Sequence, residues 1–307
     1  MAGNVLQCVS AGMNRNADAE KKQKPKRKGW NAAYHLFHFD KWNTLYKCAN
    51  NRELVPMKKT LTAKPYSQTA LSDRQVTMAN AVTRAAHGLS LPEKRFIAAA
   101  LAKTDSTDAR GLMDERMQTV KLSAMEYAET FAVTLDTAYE QLQVGAEALQ
   151  QPKVITETST RRGTVREVRS WVITGKYAKG EGTVEVRWHP DLVPFLFGLR
   201  KEFTTYKLKH AAAFRSIYSW RIFECLKSWQ GAGRWTPTIT EFQDAMDASP
   251  TYRANFKALR ERVIEPAVKE LREKNGLIVE WEPVKSGRKV TSLRFKFEPD
   301  PQGTLLF

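Results

Sequence analysis

The chain has 307 residues, with 49 Lys and Arg against 33 Asp and Glu, giving a formal charge of +16. Its length and 42% hydrophobic content suffice for two cores, which excludes an acidic or disordered polar protein. A charge this positive points to a polyanion, and in a cytoplasmic protein to nucleic acid.

No apolar run approaches the roughly 20 residues of a membrane span, and the N-terminus lacks the pattern of a signal peptide. The expectation is a cytoplasmic protein with no membrane association. Cys8, Cys48 and Cys225 are too far apart for a zinc knuckle, and an odd number leaves one unpaired, so reduced thiols are expected.

Residues 1–56 read as a basic, flexible extension. Lys21, Lys22, Lys24, Lys26, Arg27 and Lys28 repel one another around Pro25 and cannot build a core. Trp30, Tyr34, Phe37, Phe39 and Trp42 form an aromatic patch that can pack on its own domain or on a partner. Met57, before Lys58 and Lys59, is a candidate internal start.

Regular structure is expected from about residue 74. Three Ser/Thr-x-x-Glu boxes mark helix starts: Ser90 with Glu93, Ser123 with Glu126, and Thr238 with Glu241. They predict helices over Pro92–Lys103 and Ala124–Phe131, with a strand at Gln118–Leu122 between them. Leu135–Gln150 reads as a longer helix with Leu135, Ala138, Leu142, Ala146 and Leu149 on one face. Strands are predicted at Val154–Thr158, Arg166–Thr174 and Thr183–Trp188.

The same order recurs in the second half. A helix over Phe214–Trp229 precedes a strand near Trp235–Pro237, a capped helix Ile239–Ala248 and a long helix from Tyr252 to Lys274, stopped at Asn275–Gly276. Strands Leu277–Pro283 and Val290–Phe297 flank a basic turn. Three helices followed by a small hairpin make a winged helix-turn-helix. The expected class is therefore α+β, with two tandem winged-helix domains at 57–205 and 206–298 and a tail at 299–307. A generic α+β pair without a nucleic-acid role is the alternative.

On the long helix, Phe256, Leu259, Val263 and Ala267 mark a buried face, and Arg253, Lys257 and Arg260 an adjoining stripe able to enter a major groove. Arg262 points away from that stripe on a regular helix. Pro266 is expected to kink the helix. Lys285, Arg288 and Lys289 surround a glycine in the wing and suit phosphates. Arg161, Arg162 and Arg166 are read as the equivalent turn of the first domain. The helix Leu135–Gln150 is less basic and suits light phosphate or protein contacts.

Catalytic constellations are missing. His35 and His38 lack the spacing of a nickase, His87, His189 and His210 are isolated, and there is no P-loop. No catalytic residue, metal or cofactor is expected.

The run from Phe256 to Arg272, followed by Lys285-Ser-Gly-Arg-Lys-Val-Thr-Ser-Leu-Arg-Phe-Lys-Phe, resembles the second winged-helix domain of iteron-binding plasmid replication initiators. Phe203–Leu208 and Ser216–Leu226 resemble that family's inter-domain segment and the next helix, so the likeness covers about residues 74–297. It implies monomers bound to direct repeats in double-stranded origin DNA, and dimers formed through the first domain that act in repression or copy control. It also brings Arg262 into the reading helix beside Lys257 and Arg260. The expected function is a non-enzymatic initiator that opens the duplex locally and recruits host replication proteins, among them the host initiator and helicase. A winged-helix transcription regulator is the alternative. In the tail, Gln302, Leu305 and Phe307 have the Gln-x-x-Leu-x-Phe form of peptides that dock on the bacterial sliding clamp, with packing on the second domain as the alternative.

Overall fold

Strand β1 (Gln75–Ala79) alternates exposed and buried residues, with Val76 and Met78 inward, as a half-buried strand should. In the computed structural model, which describes residues 69–161, 163–178 and 180–299, it is followed by α1 (Asn80–Arg84) and α2 (Leu91–Ala102). Glu93 closes the expected box at the start of α2, accepting from the Ser90 backbone N–H at 2.8 Å and from its hydroxyl at 2.9 Å. All the described residues belong to one compact unit.

Strand β2 (Thr119–Ser123), α3 (Ala124–Phe131) and α4 (Leu135–Ala148) follow where the sequence put them. The box at Ser123 does not close as expected. Its hydroxyl accepts from Met125 N at 3.2 Å, but Glu126 pairs with Lys103 at 2.7 Å, a stronger partner than a backbone N–H. Ala138, Leu142, Ala146 and Leu149 are buried, whereas Leu135, at the helix start, is exposed.

The strands after α4 differ from expectation. β3 (Pro152–Thr160) and β4 (Gly163–Ser170) form a two-stranded ribbon closed between Thr160 and Gly163, and β5 (Val172–Ala178) and β6 (Thr183–Trp188) belong to another sheet. The break falls at Trp171, which is fully buried and donates its backbone N–H to Leu149 O at 3.2 Å. Burying that ring turns the chain out of the ribbon. The second sheet has the order β2-β6-β5, so Thr183–Trp188 is its central strand.

β7 (Phe203–Lys207) pairs antiparallel with β1, Thr77 opposite Thr205. It thus crosses the expected boundary at 205/206 while its partner lies at the start of the first domain. After the short α5 (Lys209–Ala212), α6 (Ile217–Ser228) is capped by Ser216, β8 (Arg234–Trp235) follows, and α7 (Ile239–Ala245) starts with the Thr238/Glu241 box closed at both ends.

The long helix expected over Tyr252–Lys274 is interrupted. α8 (Pro250–Ala254) ends at Asn255, whose extended backbone stops it and whose side chain caps α9 (Phe256–Leu259) by accepting from Ala258 N. A π-helical turn, Arg260–Ile264, leads into α10 (Glu265–Asn275). Pro266 has no N–H to return to the Arg262 carbonyl, and the widened turn lies directly before it. Gly276, at φ +64°, ends α10 as expected.

β9 (Leu277–Ser286) and β10 (Lys289–Pro299) complete a sheet of order β8-β10-β9. Both sheets thus run first, third, second in chain order, and each is preceded by the same helix, strand, helix, helix sequence. The two winged units share one continuous core. Trp188, Val184, Val186 and Phe96 fill it on one side, and Trp220, Phe223, Phe242, Phe295 and Leu271 on the other.

Candidate nucleic-acid interface

The helix-turn-helix of the second unit is α7, α8 and the α9–π–α10 helix. Leu259, Val263, Ile264, Ala267 and Leu271 are buried and hold the last of these to the core. Its opposite side faces solvent, where Lys257, Arg260 and Arg262 are all exposed. Lys257 lies 4.0 Å from Glu261, and Arg260 Nε donates to Glu265 Oε1 at 2.6 Å. That carboxylate raises the proton affinity of Arg260 further. Arg262 makes no ion pair or hydrogen bond among the described residues. The widened turn changes the angular offsets of a regular helix, so the wheel argument that separated Arg262 from Arg260 does not hold there.

Arg253 is not brought into this stripe. It sits on α8, where Nε donates to Ala248 O at 2.8 Å, Nη1 pairs with Asp244 at 2.5 Å, and Nη2 donates to Gln243 O at 3.3 Å. Gln243 returns a hydrogen bond to Arg253 O at 3.1 Å. The guanidinium closes the turn between α7 and α9 by satisfying carbonyls at the end of α7.

In the wing, Lys289 stands opposite Ser286, so Gly287 and Arg288 make a two-residue turn with Gly287 at φ +61°. Lys285, Arg288 and Lys289 are exposed and without ion pairs among the described residues. Further down the hairpin, Arg294 pairs with Glu282. Three cations without ion pairs among the described residues are thus gathered at the tip.

The first unit differs in charge. Its counterpart of the reading helix, α4, contains no Lys or Arg, and Asp136, Glu140 and Glu147 lie exposed along it. Its wing is the β5–β6 turn, where Lys176 pairs with Glu185 at 3.3 Å and Lys121 with Glu181 at 3.1 Å. Arg161, Arg162 and Arg166 are not in that turn, which corrects their reading as the equivalent wing. Arg161 and Arg166 belong to the inserted β3–β4 ribbon, Arg161 exposed at its tip and Arg166 exposed on β4, and Arg162 lies outside the described residues. The ribbon adds cations that the first unit's own helix lacks.

Residues 75–227 match the family model described as "Initiator Replication protein, WH1", and residues 238–297 match "Initiator Rep protein, WH2". The chain belongs to the replication initiator family. Both winged-helix domains read from the sequence are those of the family. The initiator is 26% identical over 231 residues to an uncharacterized 27.6 kDa protein of Escherichia coli, across 73% of this chain and 96% of that one. In fold it is similar to the crystal structure of Pi initiator protein in complex with iteron DNA. The TM-score is 0.60, at 20% identity, covering 74% of the initiator and 97% of that chain.

Gln302, Leu305 and Phe307 lie outside the described residues, as do His35 and His38. Of the other histidines, His87 is buried, and burial first, then Arg221 and Lys94, hold its pKa well below the usual range. No group of three His, Cys, Asp or Glu able to hold a metal occurs among the described residues. Nor is any described helix long and apolar enough to cross a membrane.

One functional candidate went unnoticed in the sequence. Arg221 and Glu224 are an i,i+3 charged pair inside the apolar run Trp220–Leu226, and both are buried. A charged pair within such a run was the available signal.

Proposed function

We propose that this initiator binds direct repeats in plasmid origin DNA through its second winged unit. In this reading Lys257, Arg260 and Arg262 face base edges, and Lys285, Arg288 and Lys289 hold phosphates beside them. The observation that carries it is the placement of exposed cations on the solvent side of the helix and of cations without ion pairs on the wing tip of one helix-turn-helix, over a buried apolar anchor. The iteron complex of the structurally similar Pi protein supports repeats as the target. Phosphate contacts are assigned to Arg161 and Arg166 on the ribbon, with Arg162 next to them in sequence, since α4 carries only anionic charge on its exposed side.

Binding at an origin is followed by local duplex opening and recruitment of the host initiator and helicase, with no chemistry by the chain itself. A homodimer in equilibrium with the monomer serves autorepression, through the first unit. Val144, 58% exposed on α4, supports protein contacts at that helix. β6 is the central strand of its sheet, so a contact between chains cannot form by adding a strand to it.

The test is competition between repeat-containing origin DNA and random DNA for wild type, Lys257→Ala and Arg260→Ala. Loss of a base contact costs about 1–3 kcal/mol of discrimination, so each variant should lose preference for the repeat. Equal weakening on both DNAs would remove the helix assignment.

A further inference from the structure

Arg221 lies on α6, the first helix of the second unit, and its guanidinium is buried. Nε donates to Ala245 O at 3.0 Å, the last residue of α7. Nη1 donates to Thr83 O at 3.0 Å and Nη2 to Ala85 O at 2.7 Å, at the end of α1 in the first unit. One cation thus meets the carbonyl ends of two helices from different units, where the helix dipoles are negative.

The remaining contacts hold it there. Nη1 also lies 2.9 Å from Glu224 Oε2 and donates to His87 Nδ1 at 3.2 Å. His87 uses its other nitrogen on Val82 O at 2.7 Å, so the proton is assigned to Nε2 and Nδ1 is free to accept. Glu224 accepts from the Tyr206 hydroxyl at 2.8 Å and faces Lys94 Nζ, from the first unit, at 2.7 Å. The Lys94 contact is short but poorly directed: it is an ion pair, and the ammonium has no well-aligned acceptor.

The carbonyls held by Arg221 lead straight to the ribbon. Ala86, next after Ala85, bridges Ile155 of β3, with Ile155 N donating to Ala86 O at 2.9 Å. Beside it, Lys153 of the ribbon pairs with Glu93 of α2 at 2.5 Å. On the other side, Ala245 is followed within a few residues by the turn that Arg253 closes. The cation therefore stands between the root of the ribbon and the root of the reading helix.

We propose that Arg221 is a positioning residue that fixes the β3–β4 ribbon at a set distance from the helix-turn-helix of the second unit, making the two a single two-point reader of one DNA site. This deepens the proposed DNA contact and rests on the ribbon taking part in it. A joint built from carbonyls and a planar five-donor fork is directional, and apolar packing alone would let the ribbon root slide. The pair is worth keeping for geometry, since buried ion pairs gain little net stability over apolar packing.

The test labels Val165→Cys on the ribbon and Lys285→Cys on the wing, in the full chain with Cys8 and Cys48 changed to serine. Cys225 is buried and its thiol is pushed up to about 11, so it stays unlabelled. Pulsed electron paramagnetic resonance should give one narrow distance distribution in wild type, and a broadened or displaced one in Arg221→Lys, with cooperative urea unfolding retained. Glu224→Gln replaces it should Arg221→Lys not fold. On origin DNA, Arg161→Ala should weaken wild-type binding about fivefold and the Arg221→Lys background less than about twofold, because the ribbon's contact no longer adds to the helix's. Unchanged distances and an unchanged Arg161→Ala factor overturn the positioning role. No effect of Arg161→Ala on wild type, with distances that do change, overturns instead the ribbon's DNA contact on which the two-point reader rests.

Discussion

Arg260 Nε lies 2.6 Å from Glu265 Oε1, five residues along and across the π-helical turn. A π turn bonds residue i to i+5, so the same widening that accommodates Pro266 aligns this pair. Among the cations of the reading helix, Arg260 therefore carries an intramolecular counter-charge that DNA must displace or share. Glu265→Gln removes it. The expected result is tighter binding to random DNA and a salt dependence steeper by about 0.9 in log–log slope, reversed by adding Arg260→Ala. Fluorescence anisotropy at four salt concentrations measures both, and an unchanged slope would place Arg260 away from DNA.

Wing cations should behave as phosphate anchors. Lys285→Ala, Arg288→Ala and Lys289→Ala should each lower the salt slope by about 0.9 and weaken repeat and random DNA by similar factors. A variant that changes the preferred base at one position would show that its side chain reads sequence.

The buried Lys94 predicts a pH dependence. Burial depresses its pKa from 10.5 to about 8, with Arg221 adding to burial and Glu224 opposing it. Between those values the unfolded chain holds the proton that the folded chain has released, so stability rises with pH. The contribution is complete above the unfolded pKa and is lost as pH falls through 8. Relative to Lys94→Met, wild type should gain up to about 1.4 kcal/mol per pH unit from pH 8 to 10. Cys225, raised to about 11 mainly by burial, works in the opposite direction above pH 9 in both proteins and largely drops out of the comparison, since Lys94 is only a small contributor to its shift. Urea melts at pH 7, 8, 9 and 10 measure the difference, and a flat difference would mean that Lys94 keeps its proton throughout.

The tail reading predicts that a peptide of residues 298–307 binds purified bacterial sliding clamp saturably, and that a Leu305→Ala, Phe307→Ala version does not. Ordering a short free peptide costs affinity, so weak binding is expected. Identical, non-saturating titrations would remove the clamp as a partner.

Much of the architecture was legible because local signals were strong. The Thr238/Glu241 and Ser90/Glu93 boxes, Gly276 and the glycine of the wing each force one backbone conformation, and the recurrence of helix, strand, helix, helix and hairpin exposed the two units. What escaped was decided by distant partners. β1 and β7 are five residues each and become strands by pairing with one another across the first unit. The strand break at Trp171 depends on where its ring is buried, against His87 at 5.0 Å. Asn255 looked like a polar helix residue, but its side chain caps α9. At the proposed site, the sequence pattern locates the exposed cations of the π turn and the wing. Arg253 was misjudged because its helical spacing matched Lys257, while carbonyls at the end of α7 offered its guanidinium a better partner than solvent. The equivalence of Arg161 with the wing failed because an inserted ribbon looks like a wing when only turn charge is read.

A footprinting titration of the full chain on the DNA flanking its gene tests the central claim most directly, with Lys257→Ala and Arg262→Ala run alongside. The account predicts several protected direct repeats at regular spacing, filling at similar protein concentrations in wild type and lost together in both variants. A single protected palindrome, or uniform coverage that the variants leave unchanged, would contradict it.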